Sequence, residues 1–154
     1  MSRGIPGPFT LTARSQTQGR GSHGRQWISD DNGGLYYSLA MSEFDPRIHS
    51  NLTIEVAKRC QRIIHSLWGL PITIEWPNDL ILGNKKMGGI LVESTIGSSG
   101  QPGCCIIGIG LNINQTHFPD PIDTIATSLR QYDGHVRSLS DLANELTKEL
   151  VGWL

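Results

Sequence analysis

Gln18-Gly19-Arg20-Gly21-Ser22-His23-Gly24-Arg25-Gln26-Trp27 is the stretch on which the reading of this chain turns. Residues 19–25 hold three glycines, two arginines and a histidine, and a tryptophan follows. Glycine lets a backbone turn through positive φ and lets another group approach it closely. Successive N–H groups in such a turn form a concave anion site, and guanidinium forks add bidentate donors for phosphate or carboxylate. The stretch reads as a phosphate-gripping loop that closes over a small molecule; a flexible solvated loop is the plainer alternative. Gly19, Gly21 and Gly24 also spell G-x-G-x-x-G. A dinucleotide fingerprint needs a helix opening on the loop, whereas this chain runs through a turn at 30–34 into an apolar strand. A P-loop fails as well, because Arg25-Gln26 stands where Lys-Ser/Thr is required. A Rossmann or P-loop architecture is therefore set aside.

Outward from the loop, apolar alternation predicts short strands at 9–13, 34–41, 72–76, 80–82, 86–96 and 104–113. Asp45-Pro46 ends the second, and residues 97–103 read as a hairpin-type loop. Residues 51–68 show helical spacing, with Val56, Cys60, Ile63 and Leu67 on one face beside Ala57 and Ile64. Ser50 or Asn51 can cap that helix, and Gly69 with Pro71 stops it. The last 15 residues form a second amphipathic helix through Leu142, Leu146, Leu150 and Trp153, while residues 1–9 and 115–138 read as irregular. The sum is one α/β domain of the α+β type over 1–154, with a mixed, mostly antiparallel sheet packed with helices.

The chain has 154 residues and a formal net charge of −1, without the basic excess of a nucleic-acid footprint. Cys60, Cys104 and Cys105 have no metal-type spacing, and an odd count does not suit a disulfide framework; Cys104-Cys105 sits in an apolar run and reads as small hydrophobes. No 18-residue apolar stretch or signal peptide occurs, so the expectation is a reduced, soluble, cytoplasmic domain with no membrane partner. His23, His49, His65, His117 and His135 show no ligand spacing, and no Ser-His-Asp or Cys-His arrangement argues for hydrolysis.

Four polar or glycine-rich stretches fall at strand ends: the Gly/Arg loop, Trp76-Pro77-Asn78-Asp79, Lys86-Met87-Gly88-Gly89 and Gly108-Ile109-Gly110-Leu111-Asn112. Singly, each has an ordinary account as a turn, a solvated lysine or a strand bulge. Together they supply a lysine, two arginines, a carboxylate, a carboxamide and glycines that permit close approach. Those are the parts needed to bind Mg-nucleotide beside an acid whose carboxylate attacks the α-phosphate, chemistry that rests on positioning and charge neutralisation.

Gln16-Thr17-x-Gly19-Arg20-Gly21-x-x-Gly24-Arg25-x-Trp27, Trp76-Pro77-Asn78-Asp79, Lys86-x-x-Gly89-Ile90-Leu91-Val92-Glu93 and Gly108-x-Gly110-Leu111-Asn112-x-Asn114 together resemble biotin protein ligase, in that family's order and spacing. The resemblance implies a class II synthetase-like biotin/lipoate ligase catalytic domain. It implies two steps: biotin and ATP, with Mg²⁺, form biotinyl-5′-adenylate and pyrophosphate, and a lysine of the biotin carboxyl carrier protein of acetyl-CoA carboxylase then takes the biotinyl group. By position, Lys86, Arg20 and Arg25 would be the catalytic cations. Gln16, Gly19, Arg20, Gly21, Ser22, Trp27, Lys86, Gly89, Leu91 and Gly108 would form the biotin site. Arg20, Trp27, Asn78, Asp79, Lys86 and Asn112 would hold the nucleotide, Asp79 also taking Mg²⁺. Members often pair through the sheet, which makes a homodimer an expectation.

The chain departs from the family pattern in several places. Ser22, and often His23, stand where the family has arginine, which implies a looser grip on the adenylate. Glu75 stands where it usually has lysine, with its orientation open. No Ser-Thr-Asn precedes the loop, and neither the following β-barrel nor a DNA-binding winged helix is expected within 1–154. The sequence thus reads as a ligase domain shortened at both ends. A non-catalytic biotin or nucleotide binder and a lipoate or octanoate ligase relative are the alternatives.

Overall fold

The computed structural model describes residues 7–29, 33–45, 47, 50–98 and 102–154. Expectations at 1–6, 30–32, Pro46, His49 and 99–101 lie outside the described residues. Six strands form one sheet: β1 (Phe9–Ala13), β2 (Gly34–Phe44), β3 (Thr73–Glu75), β4 (Asp79–Leu82), β5 (Lys85–Ser94) and β6 (Gly103–Asn112). Their order is β1-β2-β6-β5-β4-β3, and every neighbouring pair is antiparallel. The helices are α1 (Leu52–Trp68), α2 (Leu129–Asp133) and α3 (Leu139–Trp153).

Strand alternation divides the sheet into two faces. Along β6, Cys105, Ile107, Ile109 and Leu111 are buried, and Leu35, Tyr37 and Leu39 of β2 join them. α1 and α3 close this side, α1 with Val56, Ala57, Cys60 and Ile64, α3 with Leu142, Leu146 and Leu150. Burying each of the valine, leucine and isoleucine side chains contributes about 1.5–3 kcal/mol, before the entropy of ordering the chain is set against it. The opposite face carries the intervening residues, among them Ser38, Gly108, Gly110, Gly89 and Leu91, and it is there that the Gly/Arg loop settles.

The buried face of α1 is rotated from the predicted one. Leu67 is 39% exposed and Ile63 only partly buried, because the helix leans on both the sheet and α3 and so buries the stripe through Leu52, Val56, Cys60 and Ile64. Asn51 occupies its N-cap position without a side-chain cap, whereas Gly69 ends it as expected, left-handed at φ 69°. Residues 115–138 are not wholly irregular. Ser128 Oγ accepts from Gln131 N at 3.0 Å to start α2 and donates to Gln115 O at 2.6 Å. A helix of five residues gives periodicity too little length to register. Cys104 is exposed while Cys105 and Cys60 are buried, so only two of the three cysteines pack as hydrophobes; all three are free. Burial pushes the Cys60 thiol up to about 12 and that of Cys105 up to about 11.

Candidate functional site

The Gly/Arg loop is folded on itself. Trp27 N donates to Gly19 O at 2.9 Å, Gly21 N to Arg25 O at 2.7 Å and Arg25 N to Ser22 O at 3.3 Å, around a 3₁₀ turn at Ser22–Gly24. Three N–H groups of the stretch expected to face an anion are thus spent inside the loop, and the side chains of Arg20, Ser22 and Trp27 line the cleft beside it. His23 and Gly24 turn through positive φ, 57° and 71°. Gly19 answers to a different need: a Cβ there would lie 2.3 Å from Trp27 O, so the hairpin closes only around glycine. At its base, Gln16 N donates to Ser29 O at 2.8 Å and Ser29 Oγ to Gln16 Oε1 at 3.2 Å.

Trp27 lies on the sheet. A Cβ on Gly110 would meet the indole Cε2 at 2.7 Å, and one on Gly89 would meet Cζ3 at 3.4 Å. Gly89 and Gly110 are cross-strand partners, so β5 and β6 together leave a flat floor for the ring. The close approach these glycines allow is first that of the protein's own indole. The Trp27 Nε1–H is buried and has no hydrogen-bond partner among the described residues. Lys86 Nζ stands 5.5 Å over the ring centroid.

Lys86 is fixed at both ends. Its backbone N donates to Ile125 O at 2.8 Å and its O accepts from Thr127 N at 2.9 Å, so the 125–127 segment clamps it. Its ammonium pairs with Asp79 Oδ1 at 2.8 Å. Asp79 is opposite Gly89 in the β4–β5 register, which places its carboxylate on the loop-bearing face. Asn78 Nδ2 reaches both Ser22 Oγ and Ile90 O at 3.4 Å, tying loop to sheet. Arg20 Nη2 pairs with Glu93 Oε2 at 3.2 Å.

These elements enclose an open cleft of about 290 Å³. Of the predicted site residues, Gln16, Arg20, Gly21, Ser22, Trp27, Asn78, Lys86, Gly89, Leu91 and Gly108 line it. Gly19, Arg25, Asp79 and Asn112 do not. Gly19 sits at the closed base of the hairpin, its O accepting from Trp27 N. Arg25 turns back, its Nε and Nη2 on Ser22 O and Oγ at 3.3 and 3.4 Å. Asp79 is paired with the Lys86 ammonium. Asn112 is buried, accepting from Gln115 Nε2 at 3.3 Å. Asn114, which ended the fourth motif, exchanges two hydrogen bonds with the Arg137 backbone, at 2.8 and 2.9 Å. Glu75 pairs with Asp79 in register, so it is on the cleft side of the sheet, but it is exposed on the edge strand and outside the cleft.

Glu93, Tyr36, Ser38, Ile106 and Gly110 line the cleft without having been assigned to it from sequence. Strand parity was the available signal. Residues an even number of positions from Gly108 and Leu91 share their face, which selects Ile106, Gly110 and Glu93. Among the described residues no group of three or more His, Cys, Asp or Glu could hold a metal ion, and no helix is long and apolar enough to cross a membrane.

Residues 2–112 match the model of the biotin/lipoate A/B protein ligase family. The chain belongs to that family. It is 37% identical over 127 residues to the bifunctional ligase/repressor BirA of Bacillus spizizenii, which covers 80% of this chain and 39% of the relative. It is 29% identical to a biotin–[acetyl-CoA-carboxylase] ligase of Mycobacterium tuberculosis, covering 91% of this chain and 52% of that one. Among solved structures it resembles the Aquifex aeolicus biotin protein ligase in complex with biotin and ATP, with TM-score 0.76, 30% identity, and coverage of 93% of this chain and 59% of that one. The chain therefore spans about half, or less, of the length of these two curated relatives.

Proposed function

We propose that the cleft activates biotin with ATP and passes the biotinyl group to a lysine of a biotin carboxyl carrier protein. A biotin carboxylate oxygen attacks the α-phosphorus, the bond to the β-phosphate oxygen breaks, and pyrophosphate leaves. In the second step the acceptor amine attacks the acyl carbon, AMP departs, and an amide remains. The observation that carries this reading is the convergence of Arg20 and Lys86 on one cleft floored by glycines and walled by Trp27 and Leu91.

Lys86 has three N–H donors and spends its ion pair on Asp79. The ammonium lines the cleft beside Trp27, where it would offset charge that grows on the α-phosphate oxygens. Asp79 holds the ammonium in place, and the 125–127 clamp fixes the strand that carries it. Arg20 covers the phosphate side. The apolar wall of Leu91 and Ile106 shields the mixed anhydride from water. Mg²⁺ is typically bound by one or two carboxylates plus substrate phosphates, and Asp79, 2.8 Å from Lys86 Nζ, is the carboxylate beside the cleft. Asp79 would be its protein ligand, and the ion would neutralise phosphate charge.

The test is pyrophosphate release from Mg-ATP by the purified chain, with biotin and with lipoate in parallel. Release with biotin alone is the expected result. Release with lipoate alone would move the substrate to the other branch of the family. Heat protection by biotin and ATP without pyrophosphate would make the chain a binder and not a ligase.

A further inference from the structure

Both cations that face the cleft are already paired with carboxylates, Lys86 with Asp79 and Arg20 with Glu93. The two pairs differ in kind. Lys86 and Asp79 have side chains 32% and 19% exposed, and they lie on adjacent strands of the sheet. Arg20 and Glu93 are 70% and 45% exposed, and they join a loop to the end of β5 across the cleft. An exposed pair of this kind contributes little to stability and exchanges readily for another anion. Its formal charge is zero, so Arg20 offers an incoming phosphate no net attraction while Glu93 remains on it.

We propose that Glu93 is the resident counter-anion of the cleft: its carboxylate holds Arg20 over the sheet and competes with the incoming anion for that guanidinium. This rests on the reading of the cleft as an anion-accepting site. Glu93 reaches this position because it shares a face with Leu91 and Gly89 on β5 and stands opposite Ile106 in the β5–β6 register. Ser22, next but one to Arg20, adds no charge of its own, and Arg25 is folded back on Ser22. Arg20 is therefore the guanidinium of the loop that lines the cleft, and Glu93 sets how available it is. Glu93 thus acts through Arg20 as a positioning residue, and its charge tunes affinity for the anion.

The experiment compares the full chain with its Glu93→Gln variant by two readouts. The first is trypsin cleavage after Arg20 without nucleotide, scored by mass spectrometry against cleavage after Arg14 as the internal reference. The variant is expected to be cut several-fold faster after Arg20, as befits loss of an exposed tether. The second is titration with Mg-ATP and, separately, with inorganic pyrophosphate at two salt concentrations. Removal of a competing charge is expected to tighten binding of both probes roughly three- to tenfold at low salt, less at high salt. Unchanged cleavage after Arg20 overturns the proposal. Faster cleavage with equal or weaker probe binding overturns it too, because Glu93 would then only brace the loop. Binding of neither probe to either protein also overturns it, since no anion then competes. Biotin is absent from both readouts, so failure of the biotin-ligase reading leaves this result legible on its own.

Discussion

At the scale of single residues, the cleft depends on what glycines leave out. Gly110 has no Cβ where the Trp27 indole lies, and the nearest ring atom would be only 2.7 Å away. Gly110→Ala is expected to lift the ring from the floor. Misplacement of that size costs roughly a hundredfold in biotin-dependent pyrophosphate release, and a changed near-UV circular dichroism spectrum should accompany it. Wild-type rates in this variant would mean that the position of Trp27 is immaterial to turnover. Lys86→Gln keeps a polar, hydrogen-bonding side chain, one atom shorter, but removes the charge opposite Asp79. Loss of a donor aimed at developing charge typically costs on the order of 10²–10³ in rate, and pyrophosphate release is expected to fall by that much. The cysteines give a third, simpler expectation. Ellman's reagent should titrate one thiol quickly in the folded protein, Cys104, because Cys60 and Cys105 are buried and their thiols pushed up to about 12 and about 11. In denaturant all three should react.

At the scale of elements, α3 shows what a helix contributes once it has a sheet to cover. Ser138 caps it, accepting from Asp141 N at 3.2 Å, and Leu142, Leu146 and Leu150 are fully buried. Leu146→Ala is expected to cost about 2–5 kcal/mol in urea-melt stability, and Ser138→Ala about 1 kcal/mol. A smaller loss at Leu146 than at Ser138 would contradict the placement of this face in the core. The leucine spacing of α3 was legible from sequence because a 15-residue helix repeats its stripe four times. The stripe of α1 was legible only in part. Its apolar residues wrap too far around the helix for periodicity to choose between Leu67 and Leu52, and the packing of α1 on both the sheet and α3 made the choice.

At the scale of the whole molecule, an Asp133–Arg137 ion pair holds the segment that leads from α2 into α3. The Arg137 guanidinium also donates to His135 O and lies 5.1 Å over the Trp68 ring, so the pair links this segment to α1. The hydrogen bond from Arg137 holds the Asp133 carboxyl down to about 2. A depressed carboxyl stabilises the fold above its unfolded value of about 4, and that contribution is lost as pH falls from about 4 towards 2. Asp133→Asn is therefore expected to melt at lower temperature than the parent at pH 7. The difference should shrink through that window and vanish below it. A difference that persists undiminished well below pH 2 would locate the stabilisation elsewhere.

The sequence by itself determined the strands, the two long helices, a mostly antiparallel sheet and the four motifs. These follow from local rules: period two for a half-buried strand, 3.6 for a helix, and glycine where groups crowd. The tertiary structure alone decided which motif residues face the cleft. Arg25 turns back on Ser22, Asn112 packs against Gln115, Asn114 braces Arg137, and Glu93 enters the site opposite Arg20. The reason is physical. A motif records which residues are near in sequence, whereas the direction of a side chain is set by the strand register and by partners distant in sequence, as Glu93 is from Arg20, 73 residues away.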